Sequence, residues 1–315
     1  MNSRTNTVFL LVLTCAFALC GCFRSRTQQE AVSDQIRDRI LAVGTHAGFV
    51  INQDSIHASR LLPAAYKDRD YRAFWSADQG LLAQADSLVE AVKEADREGL
   101  RPEDYHLAAI KGKMGELRQS QEDKESPVVS RLADLDFMLT DAFLVYASHL
   151  AEGKVDRETL QPEWSAKSDS LDYAKILEDA LQSNQIERGL QALLPRHAFY
   201  SDLRRMLSSF EATMKKGGWG RVPDGPEMRV GDTGKRVTAL RKRLAATGDL
   251  VGRQQYGAGL FDSTLARGAR RFQTRHGLEA TGVVDSATLV ALNVHVQQRL
   301  EQIKANMERW RWLPR

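Results

Sequence analysis

Six apolar residues, Leu132, Leu135, Leu139, Phe143, Tyr146 and Leu150, follow one another at steps of three and four. A helix gathers that spacing onto one stripe, whereas a strand would scatter it over both faces, so the segment buries its apolar side only as a helix. Gly153, within AEGKVD, supplies a stop. The same periodicity recurs in Leu81, Ala85, Leu88, Val92 and Ala95, closed by Gly99 with Pro102 just beyond, and again in Tyr200, Leu203, Met206, Leu207, Phe210 and Met214. Only YRAFW, Tyr71 to Trp75, reads as extended. Residues 31–215 are therefore expected to form a helical bundle, and no repeat of fixed period runs through them.

The stretch KKGGWGRVPDGP, 215–226, carries four glycines, two prolines and no periodicity, which marks 216–225 as a linker. Beyond it, Val237, Leu240 and Leu244 make one helix face; Leu265, Ala269 and Phe272 make a second; Val284, Leu289 and Leu292 lie on or beside a third. Asp262 or Ser263 can cap the second helix, Gly277 can end it, and Asp285 or Ser286 can cap the third. Residues 226–293 thus read as a small three-helix unit. Val296, Leu300, Ile303 and Met307 give residues 294–315 a last helical stripe, ending on Trp310, Trp312 and Leu313. The fold class expected is mainly α, a helical scaffold bundle followed by a three-helix module.

All three cysteines, Cys15, Cys20 and Cys22, fall in the first 22 residues. They close a short cationic start and an apolar run too short to span a bilayer comfortably, which is the form of a secretory signal over 1–22. Leu19-Cys20-Gly21-Cys22 resembles the bacterial lipobox, with Cys20 where a smaller residue is usual. The resemblance implies lipidation of Cys22 and attachment to a membrane through that lipid. Residues 23–30 are polar and fit a tether. Phe23 is not the aspartate that retains such proteins on the inner membrane, so a periplasmic location anchored to the outer membrane of a Gram-negative bacterium is expected. The net charge of +3 identifies no partner.

The three-helix unit resembles the peptidoglycan-binding module, on the strength of Gly231-Asp232, Val237-xx-Leu240-xxx-Leu244, Phe261-Asp262, RRFQ from Arg270 to Gln273, HGL from His276, TGVVDSAT from Thr281 to Thr288, and Leu292-Asn293. Leu240, Phe272 and Leu289 are core positions there. Polar groups near the helix ends are left to meet a ligand, and Asp262, Arg270, Gln273 and His276 are the candidates for peptidoglycan binding. Upstream, Trp75, the turn Gly99-Leu100-x-Pro102-x-Asp104-Tyr105, the Asp134 to Tyr146 helix, Gly153, and Pro195 with Tyr200 resemble the scaffold domain of the large Gram-negative L,D-transpeptidases. That family orders its parts as scaffold, binding module, connecting helix and catalytic domain. On this resemblance residues 294–315 are a connector helix leading to a catalytic domain absent from the sequence. Trp310, Trp312 and Leu313 then lead a strand whose packing partners lie in that domain.

The transpeptidase reaction needs a cysteine thiolate to attack a tetrapeptide carbonyl. No cysteine follows Cys22, so no catalytic residue is assigned. Seven histidines are scattered through the chain without an HExxH or other zinc spacing, and neither a metal nor a cofactor is implied. A glycan-cleaving enzyme would need placed carboxylates, and no Glu stands out. Arg241-Lys242-Arg243 is a basic run that reads as a solvated helix face, and the export signal removes nucleic acid as a partner. What remains is an exported, lipid-anchored peptidoglycan-binding protein, the non-catalytic front part of an L,D-transpeptidase in cell-wall remodelling. The alternative is a component of an active transpeptidase whose catalytic cysteine domain is on a separate chain.

Overall fold

A computed structural model describes residues 26–43, 50–51, 54–120, 128–155, 171–250 and 259–313. The signal segment, Cys22 and residues 23–25 of the tether lie outside them, while the end of the expected tether, from Gln28, already belongs to the first helix. Among the described residues the chain forms twelve α-helices and two short hairpins. Seven helices, α1 (Gln28–Val43), α2 (Leu61–Lys67), α3 (Gln84–Lys93), α4 (Leu107–Ser120), α5 (Val128–Glu152), α6 (Tyr173–Gln182) and α7 (Ile186–Gln191), share one core. A mainly α protein is what the periodicity required.

The stripe on α5 understates its burial. Helices α1, α2, α4 and α6 pack around it, and side chains on nearly every face, from Leu132 to Ala151, are buried. Three of them are polar: Asp136, Thr140 and Asp141 are fully buried. A carboxylate at such depth is tolerable only with donors around it. Asp136 accepts from Tyr66 Oη at 2.7 Å and from the backbone amides of Phe74 and Trp75 at 2.9 and 2.8 Å. Asp141 likewise accepts from Ala58 N at 2.6 Å and meets His106 Nε2 at 2.8 Å.

Those bonds correct one sequence expectation. Tyr71–Trp75 is not a strand: the amides of Phe74 and Trp75 bond to a helix-borne carboxylate instead of a sheet ladder, and the hairpin begins only at Ser76. Leu81 pairs with Ser76 in that hairpin, so α3 starts three residues later, at Gln84. A 3-10 turn over Glu94–Glu98 then ends at Gly99, left-handed at φ +70°.

Helix α8 (Ala198–Lys215) carries the chain away from the bundle. After it come α9 (Lys235–Ala246), α10 (Ser263–Arg275) and α11 (Ser286–Leu292), which close a second core of Met228, Leu240, Phe261, Phe272, Leu292 and their neighbours. The linker contributes to that core: Val222 is fully buried, and Asn293 clamps its backbone in both directions, with N···Oδ1 and Nδ2···O both at 2.9 Å. Helix α12 (Val296–Arg311) then packs back along α8. Trp219 Nε1 donates to Val294 O at one end of the pair, and Arg311 Nη2 donates to Tyr200 Oη, at 2.9 Å, at the other. The two helices are therefore antiparallel.

The apolar stripes of α8 and α12 meet each other, with Tyr200, Leu207 and Phe210 against Val296, Leu300, Ile303 and Met307. The last turn of α12 reaches the bundle. Arg311, 4% exposed, donates to the Glu98 carbonyl and to Tyr200 Oη and pairs with Glu308 at 3.0 Å. Glu98 in turn accepts from Tyr200 Oη at 2.9 Å and pairs with Arg204 at 2.6 Å. Gly153, at φ +89°, admits this turn: a Cβ there would lie 2.5 Å from Glu308 Oε1 and 2.8 Å from Trp312 Nε1. Trp310 stacks on His197 at 4.5 Å between ring centroids. The expectation that Trp310 and Trp312 lead a strand is thus corrected, because they end a helix seated on the scaffold; both are half-buried there, while Leu313 stays exposed.

Candidate functional site

The sequence-chosen residues of the module sit around α10, and the structure gives them different work. Asp262 caps that helix by accepting from Leu265 N at 2.8 Å and pairs with Arg241 at 2.9 Å. Burial alone would raise its pKa; the Leu265 amide and the Arg241 guanidinium outweigh that and hold the carboxyl below its ordinary range. Asp285 caps α11 in the same way, accepting from Thr288 N at 2.8 Å.

Gln273 is 1% exposed. Its Nε2 donates to Val283 O at 2.7 Å and Thr288 Oγ1 at 3.1 Å, while its Oε1 accepts from Gly282 N at 2.9 Å. One side chain therefore fastens the loop between α10 and α11. Asp262 and Gln273 are both buried and bonded within the fold.

Arg270 is exposed, and its guanidinium lies over Gly282, whose φ of +80° and lack of a side chain leave room for it. His276 is half-buried, its ring stacked 3.9 Å from that of Phe272. His276 Nδ1 lies 2.8 Å from Phe272 O, and since a carbonyl can only accept, Nδ1 carries the hydrogen and Nε2 presents a lone pair. Burial holds its pKa below the ordinary histidine value, against the opposing effect of that hydrogen bond.

His276 lines a cavity of about 250 Å³ between the module and the α8–α12 pair. Trp219, Arg243, Arg275 and Arg299 line it as well. Arg243 stacks its guanidinium 4.0 Å from the centroid of Trp219 and donates from Nε to Leu292 O at 2.7 Å. Arg275 pairs with Asp249 at 2.7 Å, and Arg299 donates to Ala291 O at 3.1 Å. Sequence reasoning missed these residues, since they come from the linker, three helices and two sides of the module. The one local signal was a tryptophan amid the glycines of KKGGWG.

The basic run also differs from its sequence reading as a solvated face. Lys242 is exposed, but Arg241 is 6% and Arg243 2% exposed, each turned inward to a carboxylate or a carbonyl.

Comparison with known families agrees with this division of the chain. Residues 60–207 match the family model described as a scaffold domain, and residues 233–292 match that of a peptidoglycan binding domain. No curated protein matches the chain. The second match gives α9–α11 a role in binding the cell wall, with peptidoglycan as partner.

Proposed function

We propose that this chain is the wall-binding front part of an L,D-transpeptidase, carried to the periplasm of a Gram-negative bacterium and anchored, with the outer membrane favoured, by lipid on Cys22. The observation that carries the reading is the pairing of a scaffold domain with a peptidoglycan-binding module on one chain, in the order that enzyme family uses. The packing of α12 along α8 supports it by giving the module a second, non-covalent link to the scaffold. No cysteine follows Cys22, so residues 23–315 cannot supply a thiolate, and acyl transfer belongs to a domain outside them, on the same or another chain.

The purified chain is expected to co-sediment with isolated sacculi and to take up no carbapenem. A folded chain left in the supernatant would remove the wall-binding reading, and a carbapenem adduct mapped by mass spectrometry to residues 23–315 would remove the assignment of chemistry elsewhere. In cells, Cys22→Ser is expected to release the protein from membranes or to leave its precursor unprocessed.

A further inference from the structure

We propose that the cavity between the module and the α8–α12 pair is a carboxylate-binding site that takes the C-terminal end of a peptidoglycan stem peptide. The ligand's identity rests on the wall-binding reading; the chemistry of the site does not. Three guanidiniums, Arg243, Arg275 and Arg299, face a space of about 250 Å³, and among the described residues lining it none is acidic. Asp249 answers Arg275 from outside the lining, which leaves an excess of positive charge in a half-enclosed space.

Arg243 is nearly fully buried and spends Nε on Leu292 O and Nη1 on Thr247 Oγ1, at 2.7 and 3.2 Å. Its Nη2 has no hydrogen bond among the described residues. Burial pushes the pKa of Arg243 down to about 10, and Arg299 and Arg275 add to the fall against the pull of Asp249. Arg299 is lowered by burial and then by Arg275. Like charges held together around a part-enclosed space are relieved by an anion between them, and guanidiniums offer the paired donors that fit a carboxylate.

The same lining includes an apolar portion, Leu203, Met206 and Phe210 of α8, beside Gln302 and Asn306 of α12. A cavity lined by both cations and apolar side chains suits a peptide that ends in a small apolar residue with a free carboxylate, as stem peptides ending in alanine do. Helix α12 supplies Arg299 and the module supplies Arg243 and Arg275, so the site exists only when the two are packed together.

Calorimetric titration of the whole chain with a disaccharide tetrapeptide tests this, beside the same compound with its carboxylates amidated and beside inorganic phosphate. The amidated ligand is expected to bind at least about tenfold more weakly, as is the native ligand to Arg299→Gln. Arg275→Gln, which also takes the ion pair from Asp249 and is checked for folding in the same way, should show the same loss in the same range. Equal affinity for the native and amidated ligands, or unchanged affinity in both variants with folding verified by circular dichroism, would overturn the proposal. Phosphate binding more tightly than the muropeptide would overturn it in favour of a phosphate ligand. A wild-type chain that ignores sacculi sinks the wall-binding reading; a chain that binds sacculi, with both variants binding the tetrapeptide as wild type does, sinks this inference alone.

Discussion

Asp136 shows what a single buried carboxylate can impose on a helical bundle. Burial raises its pKa to about 6 from an ordinary 3.8, against the amides of Phe74 and Trp75, which favour the charged form. The folded chain therefore holds this proton more tightly than the unfolded chain does. The stability it contributes is complete below about pH 4 and is lost as pH rises through 6, a difference of about 3 kcal/mol. Asp136→Asn is expected to remove that part of the decline in thermal midpoint between pH 4 and 6. The variant should fall furthest below wild type in stability under about pH 4, since an amide sets N–H donors against donors, and that gap should narrow by about 3 kcal/mol as pH rises through 6. An unchanged pH profile in the variant would show that another group governs it. At this scale the sequence exposed residue types but not duties. Polar residues near helix ends were chosen as ligand contacts, yet Asp262 stands where its helix needs a cap and Gln273 where a loop needs fastening. The fold's own demand for donors and acceptors competes with the ligand's for the same side chains.

Helices were legible because burial leaves a period of 3.6 in the order of residues; their partners were not. A stripe says that a face is covered and is silent on what covers it. The face of α8 was assigned to the bundle, whereas it packs on α12, about a hundred residues later in the chain. The end of α12 carries the sharpest consequence. Arg311 sits in a largely buried set with Glu98, Tyr200 and Glu308, the part-exposed Arg204 at its edge, and Trp310 stacks on His197. Deleting residues 309–315 leaves Glu98 and Tyr200 short of a partner and uncovers the bundle where Trp312 meets Gly153. Losing one member of a buried ionic set costs about 3–5 kcal/mol, which lowers the midpoint of a unit this size by about 6 °C or more. Differential scanning calorimetry of the truncated chain decides it, and a midpoint within a degree of wild type would show the segment to be peripheral. Arg311→Met separates the ionic contribution from that of the tryptophans.

Across the whole molecule, two cores stand apart and one pair of helices joins them. The order of scaffold, glycine-rich break and three-helix module was legible from composition and periodicity, because each unit closes around its own apolar residues. Residues 219–294, excised, are accordingly expected to fold alone and melt cooperatively by circular dichroism, with Val222 and Asn293 completing the module as they do in the whole chain. A featureless melt would mean that α8 and α12 are needed to hold it together. The cavity was not legible, since its cations meet only after the chain has gone out along one helix and come back along the other. That out-and-back path also sets how the molecule bears load. If the module is fixed to the wall while the other end is held, tension enters two parallel bars side by side. One bar, α8, is covalently continuous with the scaffold; the other, α12, grips it through the apolar seam and the Arg311 contacts. Under pull the second bar slips first, so the seam acts as a clutch that gives way before the backbone of the first is stretched.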